Sequence, residues 1–187
     1  PNLGGILTSR TTDGGKTFQA LSAMLPEDQA TRSVMPSTVR LPSGRLLSSL
    51  RRRSDNGPQR CWVDMSASTD DGNSWRTVSR VGTTQDEQVS HNGNPPSTVL
   101  LADGRLAVVY GYRARIGSGI RARISADEGQ TLGDEIVLRD DGRTWDLGYV
   151  RPVLRPDGKI VTTYYFTTEE RAEQHIAATI WDPDDDG

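Results

Sequence analysis

Three stretches of this 187-residue chain are variants of one phrase: "TTDGGKTF" (11–18), "STDDGNSW" (68–75) and "SADEGQTL" (125–132). Their aspartates, Asp13, Asp70 and Asp127, recur at one constant interval. A fixed period of that kind marks a repeat architecture, in which each unit is one supersecondary element covered by its neighbours. A second series runs in step with the first: "MPSTVRLPSGRLLSSL", "NPPSTVLLADGRLAVVY" and "YVRPVLRPDGKIVTTYY". Each reads as an apolar strand, a tight turn on D-G or S-G, and a second strand rich in β-branched or aromatic residues. The turn glycines, Gly44, Gly104 and Gly158, keep nearly the same interval as the aspartates. A third strand, as in "RCWVDMSAS" and "GIRARIS", leads into each aspartate stretch, and a fourth follows it. No segment shows helical periodicity.

Four antiparallel strands in a unit of about 50 residues is the arithmetic of a β-propeller blade. The aspartate phrase then makes sense as a hairpin turn between the outer strands. Aspartate accepts local backbone N–H groups, glycine supplies positive φ, and the closing aromatic or apolar residue packs into the sheet. The strands divide the chain into a partial blade over 1–24, blades over 33–82 and 93–139, and a partial blade over 146–182. A propeller needs at least four blades to close, and joining both ends of this chain would give three. The expectation is therefore one partial propeller domain, completed by the remainder of a longer protein or by partner chains. "DDGRTW" (140–145) copies the turn phrase, but Asp140 follows Asp127 far too soon for the period, and Leu138 stands where Ser or Thr should. It reads as the crossing between two blades.

Hydrophobic residues make up 34% and charged residues 25% of the chain, a soluble globular balance. No apolar run approaches the roughly 20 residues of a membrane-spanning helix, and no signal peptide is visible at the start. Secretion or a periplasmic location would fit the whole protein. The net charge of −3 gives no electrostatic case for nucleic acid or an anionic membrane. Cys61 is alone and the histidines are two, His91 and His175, which argues against a disulfide or a zinc site. No metal or organic cofactor is implied, since the "DPDDDG" tail also lacks the ligand spacing of a calcium loop. Lysine occurs only at Lys16 and Lys159, so the positive charge is almost all guanidinium. That is either a coding bias or a means of gripping carboxylates.

The three aspartate turns resemble the Asp boxes (BNR repeats) of the sialidase superfamily. The stretch "DGRLAVVYGYR … GIRARIS … DLGYVRPV … PDGKIVTTYYF … HIAATIWDP" further resembles a bacterial exo-α-sialidase-like subgroup. The resemblance covers essentially the whole chain and looks like the C-terminal half of such a protein. It implies an all-β fold, a sialidase-type propeller of six blades when complete, here about two whole blades and two partial ones. It also implies glycoside hydrolysis of a sialic acid or another acidic sugar. Three arginines would hold the substrate carboxylate, because a guanidinium fork matches it bidentately. A tyrosine would attack the anomeric carbon, a glutamate would assist it, and an aspartate would serve as acid/base, a known exception to the two-carboxylate scheme.

On that pattern "GYVRPVLRPDGKIVTTYYF" puts Tyr149 in the nucleophile's place, where the alternative is a tyrosine packed in the core with its hydroxyl bonded. "SVMPSTVRLPSGRL" puts Met35 where the glutamate belongs, and a thioether cannot take a proton. "LLSSLRRR" offers Arg51 as one carboxylate ligand, against a solvated run of Arg51, Arg52 and Arg53. "YGYRARIGSG" offers Arg113 or Arg115 as another, Arg113 being preferred because it ends a strand. The first arginine and the acid/base aspartate would lie upstream of Pro1. Strand alternation puts Tyr149 and Arg151 on one face, with Asp146 near enough to orient either. His91, beside Asn92 at the start of the preceding blade, is a candidate proton carrier or sugar contact, or else a plain loop histidine. His175 reads as structural, and Glu169, Glu170 and Glu173 as a solvated hairpin loop. The catalytic candidates are thus Tyr149 and Asp146, and the substrate-binding candidates Arg51, Arg113, Arg151 and His91. With Met35 in the glutamate's place, a different acidic sugar, a lyase-type mechanism, or a non-catalytic carbohydrate-binding propeller all remain open. The isolated 187-residue chain is expected to be inactive.

Overall fold

The repeat is built as four antiparallel sheets. The computed structural model describes residues 5–25, 31–54, 60–84, 94–114 and 116–185, and their regular structure is entirely strand. The first sheet pairs β1 (Leu7–Arg10) with β2 (Gln19–Ala23). The second runs β3 (Thr31–Arg40), β4 (Leu46–Ser54), β5 (Cys61–Ser68) and β6 (Arg76–Thr84) in spatial order. The third repeats this with β7 (Pro96–Leu100), β8 (Leu106–Tyr112), β9 (Ser118–Ser125) and β10 (Ile136–Gly142). The fourth has β11 (Gly148–Leu154), β12 (Ile160–Phe166) and β13 (His175–Trp181). Across sheets, β7 lies against β3 on one side and β11 on the other. Sheets stacked with the first strands β3, β7 and β11 gathered together are the blades of a β-propeller, here an open run of two whole blades and two partial ones.

The core lies between blades rather than within them. On β8, Leu106, Val108 and Tyr110 pack against Leu47, Val63 and Met65 of the preceding blade. The intervening Ala107 and Val109 pack against Val150, Ile160 and Phe166 of the following one. Both faces of β8 are thus covered, which is why "LAVVY" is continuously apolar instead of alternating. Leu50 joins Ile6, Met24 and Leu25 in a third cluster between the first two blades.

The three aspartate turns share one hydrogen-bond pattern. Asp13 Oδ1 accepts the backbone N–H of Thr17 at 3.0 Å and Oδ2 accepts its hydroxyl at 2.6 Å. Asp70 does the same with Ser74 at 2.9 and 2.6 Å, and Asp127 with Thr131 at 2.8 and 2.6 Å. The leading hydroxyls of Thr11, Ser68 and Ser125 each donate to their aspartate and accept a glycine N–H. Those bonds require Ser or Thr, then Asp, then Ser or Thr, and so account for the phrase. The closing residue varies: Trp75 and Leu132 pack against cores, whereas Phe18 is 66% exposed. "DDGRTW" makes no such turn. It holds the end of β10, where Arg139 forks onto Asp141 at 2.7 and 2.6 Å, and the passage into β11.

The turns also clip blade to blade. The Ser22 hydroxyl donates to the Gly72 carbonyl at 2.7 Å, and Ser79, one period later, to the Gly129 carbonyl at 2.6 Å. Arg45 meets Glu128 of the next blade's turn at 3.2 Å. Its counterpart Arg105 meets Asp184, in the acidic stretch after β13, at 2.6 Å.

Hydrogen bonds from Thr17, Ser74 and Thr131 draw the carboxyls of Asp13, Asp70 and Asp127 down from 3.8 to about 2. A folded-state value below the unfolded one stabilises above about pH 4, and the contribution is lost as pH falls through about 2. Chemical denaturation between pH 5 and pH 2 should show that decline, and Asp70→Asn should flatten it. A second expectation concerns close approach. A Cβ on Gly119 would overlap the Arg139 carbonyl of the adjacent strand, so Gly119→Ala should cost about 2 kcal/mol or more in thermal unfolding.

Candidate functional site

Two innermost strands begin with the same distortion. Met35 (φ 55°) and Tyr149 (φ 50°) are left-handed residues with side chains, a conformation costing about 1–2 kcal/mol each. Each sits in a bulge: the pairing of β3 with β4 skips from Val34 to Ser37, and that of β11 with β12 from Gly148 to Arg151. Both precede their turn glycines, Gly44 and Gly158, by the same interval, as Pro95 precedes Gly104 in the blade between them. Bulges re-aim side chains, and these aim into a cleft of about 490 Å3 whose walls include Met35, Ser37, Pro95, Ser97, Tyr149 and Arg151. Three successive blades therefore meet at one opening.

Beyond this rim, two buried arginines converge on the tyrosine. Arg51 on β4 is 7% exposed, and its Nη1 donates to the Met35 sulfur at 3.2 Å. Burial pulls its pKa down, the neighbouring Arg113 pulls it further, and contact with the Tyr149 hydroxyl offsets part of this. Arg113, just past the end of β8, is 2% exposed. Its Nε donates to the Leu147 carbonyl at 2.9 Å and its Nη2 to the Tyr165 hydroxyl at 2.8 Å. Its guanidinium stands 5.7 Å from the ring centres of both Tyr149 and Trp145. Among the described residues no carboxylate pairs with Arg51, and Asp146 comes only to 3.9 Å of Arg113. The arrangement is two like charges in a poorly solvated place with a phenol between them. Such a pair has the chemistry to hold an anion.

Asp146 serves a different tyrosine from the expected one. Its Oδ1 accepts the Tyr165 hydroxyl at 2.5 Å and its Oδ2 accepts Gln174 Nε2 at 2.8 Å. Burial, then the Asp146 hydrogen bond, push the Tyr165 hydroxyl up, so that it holds its proton firmly. The reason is register. Tyr165 stands opposite Gly148 on β11, where no side chain intervenes, and its ring lies 5.6 Å from that of Tyr149. Tyr149 is 44% exposed rather than packed in the core. Arg151 is exposed on the same face with Val150 buried between them, and it bonds the Val150 carbonyl at 2.9 Å.

The arginine run divides by its partners. Arg51 reaches Met35 and Tyr149, while Arg52 bonds Thr31 and stacks 5.7 Å from the Trp62 ring centre. His175 shares a hydrogen bond with the Glu173 carbonyl at 3.0 Å at the start of β13. His91, Asn92 and Arg115 lie outside the described residues. Sequence reasoning overlooked Tyr165, Gln174 and Trp145. For Tyr165 a signal existed: in "TTYYF" the inward Tyr164 and Phe166 leave Tyr165 on the opposite face. Gln174, in a loop, had none.

No protein-family model and no curated protein matches the chain. Among solved structures it is similar to a protein of unknown function from Dyadobacter fermentans, with 29% identity and a TM-score of 0.72 over 92% of this chain and 44% of that one. It is also similar to the Penicillium chrysogenum α-L-arabinanase complexed with arabinobiose, at 20% identity and TM-score 0.70, over 97% and 56% of the two chains. A Hadza microbial sialidase matches at 18% identity and TM-score 0.59, over 81% and 35%. The chain spans 35% to 56% of the length of these three proteins. At such identities the two enzymes speak for the fold alone, a β-propeller.

Charge crowding at the site has a measurable consequence. Arg51→Met removes a buried, unmatched charge and should raise stability by about 1 kcal/mol in thermal unfolding. Arg113→Met leaves the Leu147 carbonyl and Tyr165 without their donor and should cost about 2 kcal/mol.

Proposed function

We propose that the chain carries the carboxylate-gripping side of a sialidase-like glycoside hydrolase site, acting on sialic acid or another acidic sugar. The observation that carries this reading is the pair of buried guanidiniums, Arg51 and Arg113, converging on Tyr149 without a carboxylate bound between them. A sugar carboxylate laid across the pair would satisfy both charges and place the carbon bearing it beside the phenol. A neutral phenol suits that position, since it does not repel the substrate carboxylate as an aspartate would. In the reaction the Tyr149 oxygen bonds to the anomeric carbon as the glycosidic C–O bond breaks, and the leaving oxygen takes a proton. Water then attacks the glycosyl–tyrosine and restores the phenol. Arg151, on the exposed face beside Tyr149, supplies a further contact to the anion or to sugar hydroxyls.

A phenol needs a base beside it to act as nucleophile, and Met35 offers none. In this reading the proton is handled by groups beyond the described residues, His91 being the candidate within this chain. The similarity of fold to an arabinanase and a sialidase supports glycan chemistry in general terms. A second reading draws on the Arg51–Met35 contact itself: a thioether in place of a carboxylate suits a propeller that binds acidic glycans without cleaving them.

The test is turnover of sialosides and uronic-acid glycosides by the full-length protein beside its Tyr149→Phe variant. The variant should lose about 100-fold or more in kcat, the scale of removing a reacting group, while still binding the glycan. Equal turnover by both would remove Tyr149 as nucleophile. Acid-dependent binding with no turnover by either would favour the second reading. The 187-residue segment alone should be inactive.

A further inference from the structure

The acidic-sugar reading leaves one part of the site unexplained, the phenol wedged between Arg113 and Asp146. Arg113 Nη2 and Asp146 Oδ1 are 3.9 Å apart, close enough for the ion pair to collapse into a direct hydrogen bond. It does not collapse, because the Tyr165 hydroxyl accepts from Arg113 at 2.8 Å and donates to Asp146 at 2.5 Å. Gln174 holds the other carboxylate oxygen at 2.8 Å, so Asp146 is tethered through both oxygens. Arg113 is fixed from the other side by its Nε bond to the Leu147 carbonyl at 2.9 Å. Among the described residues its Nη1 is left with no protein acceptor.

The energetic stakes follow from the chemistry of guanidinium forks. A buried arginine that forks onto a protein carboxylate has its charge matched and its parallel donors used. A ligand carboxylate would then have to displace an intramolecular partner already in place. A phenol in between takes one N–H without neutralising the cation, and it spends its own proton on the aspartate. Burial keeps that proton on the phenol, so the wedge does not itself become an anion.

We propose that Tyr165 is a positioning residue that acts through Arg113, holding Asp146 off the guanidinium so that its charge and free donors stay available to a ligand carboxylate. The inference rests on the acidic-sugar reading of the cleft and deepens it. Selectivity for an acidic over a neutral sugar depends on a residue that need not touch the carboxylate. Gln174 supports the same end by restraining the second oxygen of Asp146. Tyr165 is placed for the task by its register opposite Gly148 and by its ring contact with Tyr149.

The experiment is calorimetric titration of the full-length protein with N-acetylneuraminate and with D-glucuronate, each beside its methyl ester. Tyr165→Phe keeps the ring but removes the wedge. It should weaken binding of the better-bound acid about tenfold, the scale of one hydrogen bond to a charged group, and leave ester binding unchanged. Adding Asp146→Asn to Tyr165→Phe removes the carboxylate that would collapse onto Arg113 and should restore acid affinity to near the wild-type value. A role in packing alone predicts no such rescue. Undiminished acid binding by Tyr165→Phe, or a double variant as weak as the single one, would overturn the inference. A wild-type protein that binds acid and ester equally would overturn the acidic-sugar reading and this inference with it.

Discussion

A sheet of four short strands has two faces, and in a propeller blade both must be covered by other blades. Strand β8 shows the constraint most directly. Its alternate residues belong to two different cores, Leu106, Val108 and Tyr110 to one and Ala107 and Val109 to the other. At about 25 cal/mol per Å2 of buried apolar area, this face-to-face packing is the dominant attraction available to a chain whose described residues form neither helices nor disulfides. The rest follows from it. Because blades stack face to face, their first strands gather, and the beginnings of those strands form one opening.

At that opening the structure stops optimising stability. Two residues with side chains sit at positive φ, two bulges interrupt the pairing, and two guanidiniums repel each other out of water. Elsewhere several arginines are matched: Arg45 with Glu128, Arg105 with Asp103 and Asp184, Arg139 with Asp141, Arg155 with Asp157. Left-handed backbone, bulges and buried like charge gathered at one opening mark a place kept for something other than folding. The mismatch is cationic and partly dehydrated, which is what the proposed acidic ligand rests on.

Much of this was legible before the structure. The regular recurrence of Asp13, Asp70 and Asp127, the turn chemistry and the D-G hairpins are visible in short stretches of chain. Local hydrogen bonds impose their own sequence requirements, so the blades could be read directly. Arg51, Arg113 and Tyr149 could be nominated because their stretches resemble the sialidase pattern. Asp146 was nominated too, but its partner was not foreseen. That partner is set by cross-strand register, Tyr165 opposite Gly148, and the adjoining bulge alters that register without any motif to announce it. The arginine run was ambiguous for a related reason: alternation divides Arg51 from Arg52, but only packing decides which of them meets Met35 and Tyr149.

The sequence by itself determined the strands, the turns and the repeat, because each depends on residues within a few positions of one another. The tertiary structure alone decided which charges are answered and which are left open. Arg51 comes from the second blade, Arg113 from the third, and Tyr149, Tyr165 and Asp146 from the fourth and the passage into it. Whether a guanidinium is neutralised depends on a few ångströms between groups separated by dozens of residues, and such distances exist only once the blades are packed.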